Sequence, residues 1–249
     1  MRTLKLFLMM MGLSIPCFLY AQKDNSKQKE DNEFEGIKIG SRNYSRTKTG
    51  FFAPQDMSLG LAYDLETLRF SYDDYSNKSL NGVRLNYIIH GALSRKGFLS
   101  LESPTCFRFN YVKDTQLVSG YESMTRLDIG LQWGLLLSTG YCFSEKCYVT
   151  IGCGLLLDFS IVDKSKLISY SGQEIEIGNL GYNNKLTKIF DLPVTFSASF
   201  RYKRLGLRVN YDIGTINHYK KDYYEKMGKP ESYKKKNSHF CIGLQYYFM

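Results

Sequence analysis

Three histidines are the side chains of this 249-residue chain best suited to acid–base catalysis, because imidazole titrates near neutral pH. A hydrolase would need a nucleophile within hydrogen-bond reach of one of them. Ser238 adjoins His239, but adjacent residues of a strand point to opposite faces, so these two side chains should not meet. The spacing of His218 and Asp222 fixes no geometry, and His90 falls at an inward position of an alternating run. We therefore predict polar packing and no enzyme, and no spacing in the chain is typical of metal or cofactor ligands.

Charged side chains are a second group that could carry chemistry, because they recur at alternate positions of otherwise apolar runs. In a strand, such alternation puts the charged residues on one face and the apolar residues on the other. Arginine and carboxylate groups enclosed together should pair, since an unpaired buried charge is costly. Two interpretations are open: an ion-pair plug that fills the interior, or a narrow gated or anion-preferring pore, which the excess of arginine favours. The predicted inward charge cluster consists of Arg84, Glu102, Arg108, Arg126, Asp128, Asp158, Arg201, Arg208 and Asp212, and Arg69 and His90 are assigned to the same face.

The segment from Asn217 to Asn237 is strongly basic and is the best candidate for an interaction surface. Seven lysines against Asp222, Glu225 and Glu231 give it a formal charge of +4. A solvated loop has this composition, and so does a surface for phosphate groups or another anionic partner. The lysines are Lys220, Lys221, Lys226, Lys229, Lys234, Lys235 and Lys236.

The last twelve residues show most clearly the element that must position these side chains. From Ser238 to Met249, apolar and aromatic residues alternate with polar or small ones, which is the period of a strand. Such a strand suits lipid on one side and a polar lumen on the other, so the pattern is typical of a transmembrane β-barrel. The predicted outward residues are Phe240, Ile242, Leu244, Tyr246 and Phe248, and the inward ones are His239, Cys241, Gly243, Gln245 and Tyr247.

The same alternation recurs upstream, in runs that reach the roughly 9–11 residues a tilted strand needs to cross a bilayer. A two-residue turn at Lys203-Arg204 pairs Tyr202 with Leu205 on the same face. Short connections alternate with long ones, as in membrane barrels, whose long loops are external. The pattern predicts an all-β fold, a transmembrane antiparallel up-and-down barrel with an even number of strands. The long connections are Asp74–Leu80, Lys113–Gly120, Val162–Asn184 and Asn217–Asn237.

The first strand decides between eight and ten strands. Its apolar residues are odd-numbered over 57–63 and even-numbered over 68–72. One long strand with a bulge near Leu65-Glu66 gives eight strands, which we favour. A tight turn at that point needs a further strand around Phe34–Tyr44 and gives ten.

The amino-terminal region divides into two segments ahead of the predicted barrel. Arg2 and Lys5 precede an apolar stretch that Ala21 closes, which is the pattern of a cleaved signal peptide over residues 1–21. The polar segment 22–56 is predicted as a lead-in. The barrel domain is then residues 57–249.

Five cysteines would remain after cleavage of the signal peptide, and two of them flank a short turn. In a regular hairpin, Cys142 and Cys147 would lie on opposite faces, whereas a bulge would allow a disulfide between them. Both possibilities are open at this point.

The signal peptide, the alternating strands and the ending Gly243-Leu244-Gln245-Tyr246-Tyr247-Phe248 resemble the bacterial outer-membrane β-barrel family, porin-like in the broad sense. In that family a glycine and spaced terminal aromatics form the signal read by the barrel-assembly machinery, and Gly243, Tyr246 and Phe248 match it. Met249 follows Phe248, whereas the family usually ends on the aromatic residue.

The resemblance implies an outer-membrane location, with lipid, lipopolysaccharide, the assembly machinery and an envelope protein as expected partners, and no nucleic acid. The expected role is that of a non-enzymatic scaffold or accessory component of a secretion or uptake assembly. A small diffusion pore is the alternative, and a lipid A-modifying enzyme or protease is the second alternative.

Overall fold

The computed structural model describes residues 50–70, 79–93, 98–114, 121–144, 146–177, 188–218, 220–222, 225 and 235–248. The predicted signal peptide and most of the predicted lead-in lie outside these residues. The strands within them are β1 (Gly50–Phe52), β2 (Met57–Phe70), β3 (Ser79–Ala92), β4 (Leu99–Asp114), β5 (Tyr121–Ser144), β6 (Cys147–Ser169), β7 (Glu174–Ile177), β8 (Phe190–Asp191), β9 (Val194–Tyr202), β10 (Leu205–Ile213) and β11 (Lys235–Phe248).

Eight of these strands close into an antiparallel barrel. They neighbour one another in the order β2, β3, β4, β5, β6, β9, β10 and β11, and β11 pairs with β2 to complete the ring. The prediction of an all-β, up-and-down barrel with eight strands is confirmed. Among the described residues, none belongs to a helix with the length and hydropathy needed to cross a membrane.

The three remaining strands extend the barrel at its two ends. β1 pairs with the last part of β5, at the end that carries the short connections, here called the short-loop end. β8 and β7 pair with β6 beyond the start of β9, toward the opposite, long-loop end. Because β1 lies within the segment predicted as the polar lead-in, the packed structure begins ahead of residue 57.

The register of the carboxyl-terminal strands follows the predicted alternation. Tyr202 pairs with Leu205 across a two-residue turn, as predicted, and Lys203 in that turn has a positive φ of 56°. β11 then pairs with β10 on one side and with β2 on the other without a register shift. Every second side chain of these strands therefore faces the same side along their whole length.

The predicted bulge near Leu65-Glu66 is wrong, because β2 pairs continuously with β11 over all of its 14 residues. Asp64 and Glu66 are both fully buried inside the barrel, which keeps the even-numbered residues inward past residue 63. The alternative strand around Phe34–Tyr44 falls outside the described residues.

A bulge does occur in β6, near the long-loop end. The pairing of β5 with β6 shifts by one residue between Gly130–Ser160 and Ile129–Val162, so that Ile161 is the extra residue. β6 continues to Ser169, although the sequence placed an external loop from Val162 onward. A one-residue shift reverses which side chains face inward, so the parity of β6 changes beyond Ile161.

The outer wall of the barrel is apolar. In β11 the step from Phe240 to Phe248 covers about 26 Å along the strand at ~3.3 Å per residue, or about 20 Å along the barrel axis at a tilt near 40°. That height is close to the ~25 Å apolar band of membrane barrels. The exposed apolar side chains of the wall include Leu61, Val83, Leu85, Phe107, Phe109, Leu135, Leu137, Ile151, Leu155, Phe196, Phe200, Leu207, Phe240, Ile242 and Leu244.

Candidate functional site in the barrel lumen

The interior of the barrel is filled with charged side chains. The structure places all nine members of the predicted inward charge cluster there, each with at most 5% of its surface exposed. Their positions follow from strand geometry, since each lies one residue away from an outward apolar side chain. His90 and His239 are buried among them, whereas the side chain of Arg69 lies outside the described part of the structure.

Four further lumenal carboxylates were missed by the sequence analysis: Asp56, Asp64, Glu66 and Asp163. The described lumen thus holds eight carboxylates against five arginines, so the predicted excess of arginine is wrong. If the even-numbered side chains of β2 had been assigned to the inward face along the whole strand, Asp64 and Glu66 would have been predicted in the lumen. Asp163 faces inward only because of the β6 bulge, and Asp56 precedes the first barrel strand, so the strand pattern contained no signal for either.

A first group of charges closes the lumen at the short-loop end. His90 Nδ1 lies 2.8 Å from Asp56 Oδ1, and His90 Nε2 lies 3.1 Å from Glu102 Oε2. Because an ionised carboxylate only accepts hydrogen bonds, this arrangement favours an imidazolium with both nitrogens protonated. Arg201 Nη1 donates to Asp56 Oδ2 at 2.7 Å, and Arg208 pairs with Glu102. Five side chains from five segments are thereby joined in one chain of ion pairs.

The same end is covered by the segment that leads into β2. The backbone N–H of His90 donates to the Asp56 carbonyl at 2.8 Å, and Tyr148 Oη donates to the Asp56 carboxylate at 3.3 Å. The Phe52 ring packs edge-on against Tyr148, with 5.2 Å between ring centroids. Phe52 also lies over Gly140, where a Cβ atom would approach its ring to 2.5 Å. These contacts hold residues 52–56 across the short-loop mouth.

A second group of charges occupies the middle of the lumen. Arg84 donates to Asp212 at 2.7 Å and to Asp64 at 3.3 Å, which links β3 to β10 across the barrel. His239 Nδ1 lies 3.2 Å from Asp64, and its Nε2 lies 3.1 Å from Arg108 Nη1. Since a guanidinium only donates, Nε2 of His239 accepts and Nδ1 carries the proton.

Arg108 continues this network toward the long-loop end. Its guanidinium lies 3.0 Å from Asp128 Oδ2 and 3.1 Å from Asp158 Oδ1. Gln132 Nε2 donates to the other oxygen of Asp158 at 3.0 Å. Arg108 therefore separates two carboxylates that would otherwise face each other in a buried site.

A third group lies nearest the long-loop end. Arg126 Nε donates to Asp163 Oδ1 at 3.1 Å, and Arg126 Nη2 lies 3.2 Å from Glu66 Oε1. Asn237 Nδ2 donates to the same Glu66 oxygen at 2.7 Å. These contacts connect β2, β5, β6 and β11, so that charged side chains extend along the lumen between its two ends.

The Asp191 carboxylate accepts hydrogen bonds from the start of the connection between β10 and β11, an arrangement here called the Asp191 clasp. Its carboxylate accepts from His218 Nε2 at 3.3 Å and from the backbone N–H groups of Thr215 and Ile216 at 3.2 and 2.9 Å. Burial alone would raise the pKa of the Asp191 carboxyl, but the His218 side chain and the backbone donors stabilise the carboxylate and lower the pKa below its ordinary value. The clasp lies outside the barrel strands.

Replacing Asp191 with alanine should loosen this connection, because three hydrogen bonds to a charged acceptor are lost. We expect the Thr215 and Ile216 amides to exchange with deuterium at least about tenfold faster at neutral pH. Since folding lowers the Asp191 pKa, the clasp of the unmodified protein is intact at neutral pH and weakens only as the pH falls through the folded-state pKa, which lies below the ordinary value of an aspartate side chain. The matched control is Asp222→Ala, an exposed carboxylate in the same connection; equal exchange in the two variants would contradict the clasp.

In the part of the chain that the structure describes, the ring nitrogens of the three histidines lie against the charged groups described above. Ser238 pairs with Ile213 and Thr67 in the sheet, one residue from the lumenal position of His239. Within the described residues, no group of three or more histidine, cysteine or acidic side chains is placed to hold a metal ion.

All five cysteines after the predicted signal peptide have free thiols. A register shift between Cys142 and Ser144 does occur at the turn, but the Cys142 thiol donates to the Ser144 carbonyl at 3.1 Å, and no disulfide joins it to Cys147. Cys241 in the lumen donates to Asp64 at 3.0 Å.

The predicted basic loop is only partly within the described residues. Lys221 and Lys236 are exposed, and Lys220 is half-buried. Lys235 is described only as the first residue of β11, and Lys226, Lys229 and Lys234 lie outside the described residues.

The residues of the predicted assembly signal lie in the seam between β11 and β2. Gly243 pairs with Ala62, and a Cβ atom at Gly243 would come within 2.3 Å of the Leu61 carbonyl oxygen. The rings of Tyr246 and Phe248 face outward and pack edge-on with 5.6 Å between centroids. The glycine thus permits the close approach of the two strands that close the barrel.

The closed ring of eight strands, the apolar outer wall and the charged interior filled by side chains together define the architecture of a small transmembrane β-barrel. This confirms the fold that the sequence resemblance implied.

Comparison with known proteins adds only distant similarities. No model of a known protein family matches the chain, and no curated protein matches it. Ail, the attachment invasion locus protein of Yersinia pestis, is 12% identical with a TM-score of 0.38, over 78% of this chain and 100% of that chain. Neisserial surface protein A is 11% identical with a TM-score of 0.37, over 77% and 97% of the two chains. The toluene transporter TodX of Pseudomonas putida is 9% identical with a TM-score of 0.21, over 78% and 90%. The assignment of the barrel rests on its own strand ladders.

Proposed function

We propose that the protein is a non-conducting, non-enzymatic barrel integral to the bacterial outer membrane, acting as a scaffold or as an accessory component of a secretion or uptake assembly. Its external loops would make the functional contacts. The observation that carries this proposal is the lumen itself, where five arginines and eight carboxylates fill the interior of an eight-stranded ring. A barrel of this size has an interior just wide enough for side chains to fill.

The network of ion pairs supports a static plug. Arg84 bridges β3 and β10, and Arg108 bridges carboxylates of two further strands, so a passage for solutes would require several buried pairs to separate. Separating a buried charge from its partner is strongly unfavourable. The acidic balance of the lumen removes the reason for proposing an anion-preferring pore.

The histidine environments support a role without catalysis. Both nitrogens of His90 face carboxylates, and those of His239 face Asp64 and Arg108, which leaves no ring nitrogen to activate a nucleophile. His218 is engaged by Asp191.

The long-loop end would face the cell exterior, where the basic segment 217–237 meets lipopolysaccharide phosphates or an anionic envelope protein. Gly243, Tyr246 and Phe248 would be read by the barrel-assembly machinery. The exposure of Lys221 and Lys236 and the outward rings of Tyr246 and Phe248 support this part of the proposal.

Membrane insertion can be tested with Trp133, the one tryptophan of the chain, which lies on the outer face of β5 between Leu131 and Leu135. We expect phosphatidylcholine brominated on its acyl chains to quench Trp133 fluorescence in vesicles, and iodide in the aqueous phase to have little effect. Strong iodide quenching with no effect of bromine would contradict insertion.

Conductance in planar bilayers tests the plug. The inserted protein should show no steady open channel at neutral pH. Stable conductance steps, in a preparation whose Trp133 fluorescence is quenched by brominated lipid, would establish the diffusion pore instead.

Unchanged lipid A and peptide-cleavage profiles in cells carrying alanine at His90, His218 and His239 are expected if the protein is not a hydrolase.

A further inference from the structure

Three lysines lie together on the outer wall of the barrel at the long-loop end. Lys113 of β4 pairs with Thr125 of β5, and Thr125 pairs in turn with Lys166 of β6. Lys164 lies one row below, beside Leu127. Adjacent strands are about 4.8 Å apart, so Lys113 and Lys166 are separated by about 10 Å across Thr125. Two long, flexible side chains at that separation reach a common point above the hydroxyl.

The β6 bulge creates this cluster. Without the extra residue at Ile161, the odd-numbered residues would continue outward, and Lys164 and Lys166 would point into the lumen. The shift instead turns Asp163 inward to Arg126 and places both lysines outside, where Lys164 is exposed. One irregularity therefore supplies an inner ion pair and an outer basic surface together.

The lysines lie at the upper edge of the apolar wall. Tyr111, which pairs with Leu127 in the row of Lys164, is 46% exposed, and Ile161 just below is 47% exposed. Tyrosine is enriched where a membrane meets water. The rows beneath are apolar, and the next row above is Lys113, Thr125 and Lys166. The cluster thus sits at the height of lipid headgroups, with an acyl-chain surface directly below.

We propose that this surface, formed by Lys113, Thr125, Lys164 and Lys166, binds the phosphate groups of a phosphorylated glycolipid of the outer leaflet. The ammonium groups contact the phosphates, the Thr125 hydroxyl donates a hydrogen bond, and the acyl chains lie along the wall below Tyr111 and Ile161. The inference rests on the proposed function, since it requires the barrel to span the outer membrane.

The site is distinct from the basic loop 217–237. β5 is the fourth strand from β11 in either direction around the ring, so this surface lies on the side of the barrel opposite the strand at which that loop ends. Loop lysines and wall lysines can therefore be altered separately.

Glu174 of β7 forms an ion pair with Lys166. Its carboxylate lies 2.7 Å from Lys166 Nζ in a pair that is largely open to solvent, with side-chain exposures of 56% and 39%. A bound phosphate would have to replace this contact. Removal of the carboxylate should therefore strengthen binding.

The test uses the full chain folded in detergent micelles and titrated with fluorescently labelled bisphosphorylated lipid A. Lys113→Gln, Lys164→Gln and Lys166→Gln together should weaken binding by at least about tenfold, since each substitution removes one positive charge that attracts the phosphates. The matched control removes three charges from exposed residues of the short-loop end by Lys146→Gln, Lys203→Asn and Arg204→Gln, and it should bind as the unmodified protein does. Glu174→Gln should bind about two- to fivefold more tightly, which a folding defect would not produce.

Three results would overturn the site: wild-type binding by the triple lysine variant, equal weakening in the short-loop control, or equal affinity for lipid A stripped of phosphate. Equal affinity for phosphatidylglycerol would assign the surface to phospholipid and overturn the glycolipid proposal. Failure of Trp133 to respond to brominated lipid would sink the proposed function itself. Normal Trp133 quenching with unaltered lipid A binding would sink only this inference.

Discussion

Replacing Arg108 with methionine should lower the free energy of unfolding by about 3–5 kcal/mol, because it leaves buried carboxylates without their cation. Arg108 is 1% exposed and lies between Asp128 and Asp158, at 3.0 and 3.1 Å. Methionine keeps much of the volume and removes the charge. The measurement is urea unfolding of the protein in vesicles, followed by Trp133 fluorescence.

The origin of this loss can be separated from a loss of packing. Adding Asp128→Asn and Asp158→Asn to the methionine variant removes the charges that Arg108 neutralises, and it should recover more than half of the lost stability. Arg204→Met is the matched control, since Arg204 is exposed at the short-loop end and its guanidinium donates a 3.4 Å hydrogen bond to the exposed Tyr246 hydroxyl. If the triple variant is no more stable than the single variant, the charges are not the cause.

Replacing Gly243 with valine should prevent the barrel from closing or cost about 3 kcal/mol of stability, because the seam has no room for a side chain there. A Cβ atom would lie 2.3 Å from the Leu61 carbonyl oxygen and 2.4 Å from the Ala62 Cα atom. Both are atoms of the β2 backbone and cannot move aside without opening the ladder to β11. The folded fraction is read from the faster electrophoretic migration of unheated, folded barrel.

Gly91 in β3 provides the matched control for this substitution. A Cβ atom at Gly91 has nothing within 4 Å, so Gly91→Val should fold like the unmodified chain. The experiment also separates two roles of Gly243. Failure to fold from urea into pure lipid vesicles points to the seam, whereas failure only in cells points to recognition by the assembly machinery.

Much of the fold could be predicted from the sequence, because in a membrane barrel strand the type of each residue depends on whether its side chain faces lipid or the lumen. The alternation from His239 to Phe248 gave the correct inward and outward faces, and the Lys203-Arg204 turn gave the correct pairing of Tyr202 with Leu205. An even number of strands followed from the alternation of short and long connections, and eight followed from treating residues 57–72 as one strand rather than two. These features are local, since the side-chain period and the turn length are set by neighbouring residues.

In the first strand, the pattern of apolar residues predicted a bulge that does not exist. The apolar residues of 57–72 change parity, which suggested a bulge near Leu65-Glu66. The structure keeps one register, because Asp64 and Glu66 have buried partners inside the lumen: Arg84 of the neighbouring strand β3 and Arg126 of the more distant strand β5. A sequence pattern does not contain those distant partners.

The sequence by itself determined that this chain forms a ring of alternating strands with an apolar wall and a charged interior, because every second side chain meets a different medium. The tertiary structure decided which charges meet, since Arg84 reaches Asp212 only through closure of the ring and Asp56 reaches Arg201 only through the segment ahead of β2. It also decided the single-residue shift at Ile161, which turns Asp163 inward and Lys164 and Lys166 outward. A bulge depends on the partner strand across the ladder, and no local periodicity specifies it.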